Sequence, residues 1–117
     1  MRARVLIVDD HAGFRAAARA MLEAEGFEVV GEAADGAGAL VACARLEPAV
    51  VLLDIQLPGF DGFAVAERLS QRRRPPRVVL VSSRPAAGYR RRLAGAPVRG
   101  FLTKSELSSE SLASMLR

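Results

Sequence analysis

Short runs of consecutive apolar residues, separated by stretches of helical periodicity, constrain this chain more than any other feature. Val5-Leu6-Ile7-Val8 is followed by Asp9-Asp10, Val50-Val51-Leu52-Leu53 by Asp54, and Val78-Val79-Leu80-Val81 by Ser82. Four apolar residues in a row, without alternation, are what a strand covered on both faces requires. After the first run, Phe14, Ala17, Ala18, Met21 and Leu22 recur at helical spacing on one face. Strand and helix units that alternate in this way close into a parallel sheet with right-handed crossovers and helices on both faces.

The pattern predicts strands at Arg4–Val8, Phe27–Gly31, Val50–Asp54, Val78–Ser82 and Val98–Leu102. Helices are predicted over residues 11–25, from Asp35-Gly36 to about Leu46, from Asp61 to Ser70, over residues 86–94, and after Ser108 or Ser109. Gly26 has the place of a left-handed helix stop, and Asp61 that of an N-cap. Gly95, just ahead of Pro97, is expected to close the fourth helix in the same left-handed way. The result is a (βα)5 flavodoxin-like three-layer sandwich with a parallel five-stranded sheet. Order 2-1-3-4-5 is the common five-stranded solution. One domain over residues 1–117 accounts for the chain, which is long enough to bury roughly two-thirds of its unfolded surface.

Charge and composition narrow the functional classes. Half of the residues are hydrophobic and only 5% aromatic, so the core rests on Val, Leu, Ile and Ala. No apolar run approaches the roughly 18 residues of a membrane span, and Met1-Arg2-Ala3-Arg4 leads straight into a strand without a secretory signal. Cys43, the single cysteine, excludes an internal disulfide and reads as a small core residue. Together these features predict a cytoplasmic protein. The net charge of +4 comes largely from Arg72-Arg73-Arg74 and Arg90-Arg91-Arg92. These clusters have no interleaved aromatics, zinc ligands or helix-turn-helix pattern, so they read as solvated surface and not as a direct nucleic-acid contact.

The strand ends carry the chemistry. Open α/β sheets hold their ligands along the carboxyl edge. In the order 2-1-3-4-5, strands one and three are neighbours, which brings Asp9, Asp10 and Asp54 together. Three like charges in one crevice are costly unless a cation or a protonated or modified carboxylate relieves them. Ser82 and Lys104, the latter in Gly100-Phe101-Leu102-Thr103-Lys104, fall at the same edge. His11 reads as a first-turn helix residue without a chemical role.

These stretches resemble the receiver domain of two-component response regulators, the CheY-like superfamily. The resemblance runs through Val5 to His11, through Val51-Leu52-Leu53-Asp54-Ile55-Gln56-Leu57-Pro58-Gly59-Phe60-Asp61-Gly62, through Val79 to Ser83 and through Gly100 to Lys104. The Asp9-Asp10-His11 start and the Gly-Phe-Leu-x-Lys ending resemble the LuxR/NarL-type subfamily, whose receivers often precede a helix-turn-helix domain. The resemblance implies that Asp54 accepts a phosphoryl group from a sensor histidine kinase or phosphotransfer protein. It implies Mg²⁺ held by Asp9, Asp10, Asp54 and the backbone carbonyl of Gln56. Lys104 and Ser82 would contact the phosphoryl oxygens. Ser82 and Phe101 would form the switch, and Gln56 and Arg84 would tune the lifetime of the phosphorylated state. Such a domain is not an enzyme beyond chemistry on itself. It would act on a downstream protein or a fused DNA-binding domain, as a monomer or a homodimer.

Two other readings compete. A phosphorylation-independent receiver serving as a dimerisation module would not need the complete acid set. A Mg²⁺-dependent phosphohydrolase would carry a second acid two residues after its nucleophile, where this chain has Gln56. The sequence also departs from the family at Ser105, where many receivers have proline.

Overall fold

A computed structural model describes residues 2–117. Its strands are β1 (Arg4–Val8), β2 (Glu28–Ala33), β3 (Val50–Asp54), β4 (Arg77–Ser82) and β5 (Gly100–Thr103). Its helices are α1 (Ala12–Ala24), α2 (Gly36–Leu46), α3 (Gly62–Ser70), α4 (Arg90–Gly95) and α5 (Ser109–Leu116), with 3-10 turns at Ala86–Tyr89 and Lys104–Glu106. All strand pairs are parallel, in the order β2-β1-β3-β4-β5.

The strand pleat sorts the apolar runs into two cores. Val5, Ile7, Val50, Leu52, Val79 and Val81 face α1 and α5, where Ala18, Leu22 and Leu112 meet them. Leu6, Val8, Val51, Leu53, Val78 and Leu80 face the other side, against Ala39 and Cys43 of α2 and Val65, Ala66 and Leu69 of α3. Burial on both faces explains why these runs do not alternate. Cys43 is buried there, and burial pushes its thiol up to about 11, which keeps it an unreactive core side chain near neutral pH.

Local signals fix the helix ends. Gly26 at φ 94° closes α1, with its own N–H on the carbonyl of Glu23 and the N–H of Phe27 on that of Leu22. The Asp61 carboxylate caps α3 by accepting from the N–H of Ala64, and Ser108 caps α5 by accepting from that of Ser111.

Of the boundaries that differ from those expected, four have a clear physical reason. Helix α1 starts at Ala12, because His11 is extended and occupies the N-cap. Strand β2 runs on to Ala33, since Gly31 does not end it. Gly31 pairs opposite Leu6, and a Cβ there would lie 2.7 Å from the Leu46 side chain, so the glycine serves close packing of α2 on the sheet. The fourth helix is split into the turn at Ala86–Tyr89 and α4, and Gly95 is its last helical residue, not a left-handed cap. Pro97 ends it instead by pushing Ala96 into an extended conformation (φ −79°, ψ 140°). Strand β5 begins at Gly100, because the N–H of Val98 is spent on the carbonyl of Ala96.

Candidate functional site

The carboxyl edge gathers the expected residues. Asp9 follows β1, Asp54 ends β3, Ser82 ends β4 and Lys104 follows β5. Three of these are polar groups in the core: Asp9 and Ser82 are 0% exposed and Asp54 only 2%. Buried polar groups are costly unless they are paired, so their partners define the site.

Lys104 is the one ammonium set among the acids. Its Nζ is 2.6 Å from Asp9 Oδ2 and 3.6 Å from Asp54 Oδ2, and lies 4.4 Å from the centre of the Phe14 ring. The approach to Asp9 is ionic but poorly directed, and Asp9 Oδ2 has no aligned hydrogen bond. The other oxygen, Oδ1, accepts the backbone N–H of His11 at 2.8 Å. Asp54 Oδ1 accepts the backbone N–H of Gln56, at 3.3 Å.

Burial, followed by the negative charge of Asp9, pushes the Asp54 carboxyl from 3.8 up to about 6. Lys104 and the Gln56 N–H oppose that rise, and Asp10 adds to it. Asp54 is thus a buried carboxylate with little direct neutralisation, and a nearby cation or loss of its charge would relieve repulsion there.

His11 takes the N-cap of α1 and not a place in its first turn. Its imidazole Nδ1 lies 3.0 Å from Asp9 Oδ1 and 3.1 Å from Asp10 Oδ1, although the side chain is 69% exposed. Asp9, Asp10, His11 and Asp54 each place a donor atom within 4.8 Å of the others. Arg15 braces the same turn by donating to the Asp9 carbonyl at 2.7 Å, while its Nε holds Glu32 at 3.0 Å. The hydrogen bonds from Arg19 and Arg15 hold the Glu32 carboxyl below its usual range.

The chain matches the response regulator receiver domain family over residues 5–117. It belongs to that family. The receiver is 35% identical to the signal receiver domain of the response regulator NarL from Mycobacterium tuberculosis, with a TM-score of 0.84 over 98% of this chain and 97% of that one. A LuxR-family two-component response regulator from Aurantimonas sp. SI85-9A1 superposes with a TM-score of 0.86 at 28% identity, over 97% of this chain and 81% of that one. BvgA of Bordetella pertussis, named as a transcription regulator of virulence factors, is 39% identical over 103 residues, which are 88% of this chain and 49% of BvgA. The receiver therefore spans about half the length of such curated relatives.

Two expected switch and tuning residues sit differently from the acids. Arg84 is exposed, and its backbone N–H donates to Ser82 Oγ at 3.0 Å. Phe101 is half-buried against Tyr89, with ring centres 6.0 Å apart. Tyr89 also reaches Ser82 Oγ with its hydroxyl at 3.0 Å. Sequence reasoning overlooked Tyr89, because the 3-10 turn that carries it back to Ser82 leaves no periodic trace. Its one sequence signal is that it is the only tyrosine in the chain. Phe14 was legible as an apolar helix position but not as the ring beneath Lys104. A concavity of about 940 Å³ between Arg4, Glu47, Arg72, Arg74 and Arg77 opens at the opposite edge of the sheet, away from these acids.

Proposed function

We propose that this receiver takes a phosphoryl group onto Asp54 from a phosphohistidine of a sensor kinase or phosphotransfer protein. The observation that carries this reading is the buried, charge-stressed Asp54 carboxylate at the sheet edge, 3.6 Å from Lys104. In the step, an Asp54 oxygen forms a bond to phosphorus as the P–N bond breaks, and the departing imidazole takes up a proton. The product is a mixed anhydride, and its hydrolysis returns the carboxylate and inorganic phosphate. Lys104 is placed to pair with one phosphoryl oxygen as a point charge.

The donor set fits a hard divalent cation. Three carboxylates face one ammonium, and one oxygen of the buried Asp9 lacks a directed hydrogen bond. Asp9, Asp10, Asp54 and the Gln56 carbonyl would hold Mg²⁺, which favours such oxygen ligands. When bound, it supplies neutralisation of the phosphoryl and carboxylate charge. Ser82 would donate its hydroxyl to a second phosphoryl oxygen, and Phe101 would repack in response.

Gln56 and Arg84 are both exposed on the chain segments that follow Asp54 and Ser82. In this reading the long Arg84 side chain shields the anhydride from water. Arg84→Ala is expected to shorten the phospho-Asp54 half-life severalfold, followed by loss of the added mass over time. An unchanged half-life contradicts the shielding role. Relatives that continue into a transcription regulator make a DNA-binding output the favoured reading for a longer protein.

The test is direct. Incubation with acetyl phosphate and Mg²⁺ is expected to add one phosphoryl mass to the wild type and none to Asp54→Ala. No added mass on the wild type contradicts the proposal.

A further inference from the structure

Ser82 is fully buried at the end of β4, and its hydroxyl is already engaged. Oγ accepts the Arg84 N–H at 3.0 Å and lies 3.0 Å from the Tyr89 oxygen. When Ser82 gives its single proton to the Tyr89 oxygen, a phosphoryl oxygen on Asp54, which can only accept, competes with Tyr89 for that same proton. The Tyr89 ring stands between Phe63, 5.9 Å away, and Phe101, 6.0 Å away, tilted 53° to each. One helical turn further on, Arg92 lays its guanidinium 4.1 Å over Phe63 and bonds Asp61 at 2.7 Å. Tyr89 therefore ties Ser82 to α3, to β5 and to the start of α4.

We propose that Tyr89 is a positioning residue: its hydroxyl latches Ser82 in the unphosphorylated receiver and is released when Ser82 turns to a phosphoryl oxygen on Asp54. The proposal rests on Asp54 being the acceptor. Phe101 has no hydroxyl and so no polar tie to Ser82, whereas Tyr89 has one. Release of the hydrogen bond frees the ring from its slot between Phe63 and Phe101. The first movement then falls in the segment from Ser82 to Tyr89, and Phe101 follows by packing.

The chain itself supplies the probe. It has one tyrosine and no tryptophan, so tyrosine emission reports Tyr89 alone. On addition of acetyl phosphate and Mg²⁺, the emission is expected to change in proportion to the phosphorylated fraction measured by intact mass. In Ser82→Ala the resting emission is expected to match that of phosphorylated wild type and to move no further. Tyr89→Phe keeps the ring and removes the latch. It is expected to bind beryllofluoride with Mg²⁺ about fivefold more tightly in calorimetry, the factor one neutral hydrogen bond is worth. Added mass without an emission change overturns the latch, as does an unchanged or weaker beryllofluoride affinity in Tyr89→Phe. Absence of added mass on the wild type instead overturns the acceptor reading beneath it.

Discussion

Asp54→Asn is expected to stabilise the fold above about pH 7 by about 2–3 kcal/mol while abolishing phosphoryl acceptance. Folding raises the Asp54 carboxyl from 3.8 to about 6, with burial as the largest cause. Between those values the folded chain binds more protons than the unfolded one, so this group's contribution to stability falls as pH rises through the window and stays lost above it. At about 1.4 kcal/mol per pKa unit, the ionised group costs about 3 kcal/mol. Asparagine keeps the shape and an acceptor for the Gln56 N–H, and Lys104 retains Asp9. Asp9, Asp10 and Lys104 are the charged groups that act on Asp54, so the comparison belongs in chelator. Denaturation of both proteins across pH should show a gain that is full above about pH 7 and gone below about pH 4. In melting temperature it amounts to about 8–12 °C. Equal stability at neutral pH contradicts the view of Asp54 as a strained, unneutralised carboxylate.

Gly62→Ala is expected to damage fold and function together. A Cβ at Gly62 would lie 2.5 Å from the Asp54 carbonyl oxygen and 2.8 Å from the Ile55 Cα. These are backbone atoms that cannot swing aside, and the Gly62 N–H is bonded to the Ile55 carbonyl at 2.8 Å. The clash must be relieved by moving either the first turn of α3 or the strand end that carries the acceptor. Overpacking of this kind costs about 3 kcal/mol. A severalfold slower gain of phosphoryl mass should accompany the loss in urea denaturation. Gly95→Ala is the control: nothing lies within 4 Å of its added Cβ and its φ is not positive, so both measurements should stay near wild type. Full stability in Gly62→Ala contradicts the role of this glycine in seating Asp54.

Much of this arrangement was legible in the sequence, and the reason is physical. The uninterrupted runs before Asp9, Asp54 and Ser82 have the length and β-branched content of strands covered on both faces, and their helical spacers favour a parallel sheet. The sheet order then brings Asp9, Asp54 and Lys104 within ion-pair range. What escaped depended on contacts that no period encodes. Gly31 looked like a strand end because the packing of Leu46 against it is tertiary. Gly95 looked like a cap, but the helix is ended by the pull of Pro97 on Ala96, a restriction on the preceding residue that carries no period. His11 was expected in the first turn of the helix, yet it takes the N-cap, and from there its imidazole reaches two carboxylates. Tyr89 was invisible because its importance lies in where its hydroxyl ends, on Ser82.

The central claim is that the three strand-end acids are unequal, with Asp54 as the acceptor and Asp9 and Asp10 as its setting. Borohydride reduction of the phosphorylated receiver converts an acyl phosphate to an alcohol and so marks the acceptor permanently. Peptide mass mapping is predicted to find homoserine at position 54 and unaltered aspartate at 9 and 10. Homoserine at either of those positions, or at none of the three after phosphorylation, would contradict the account.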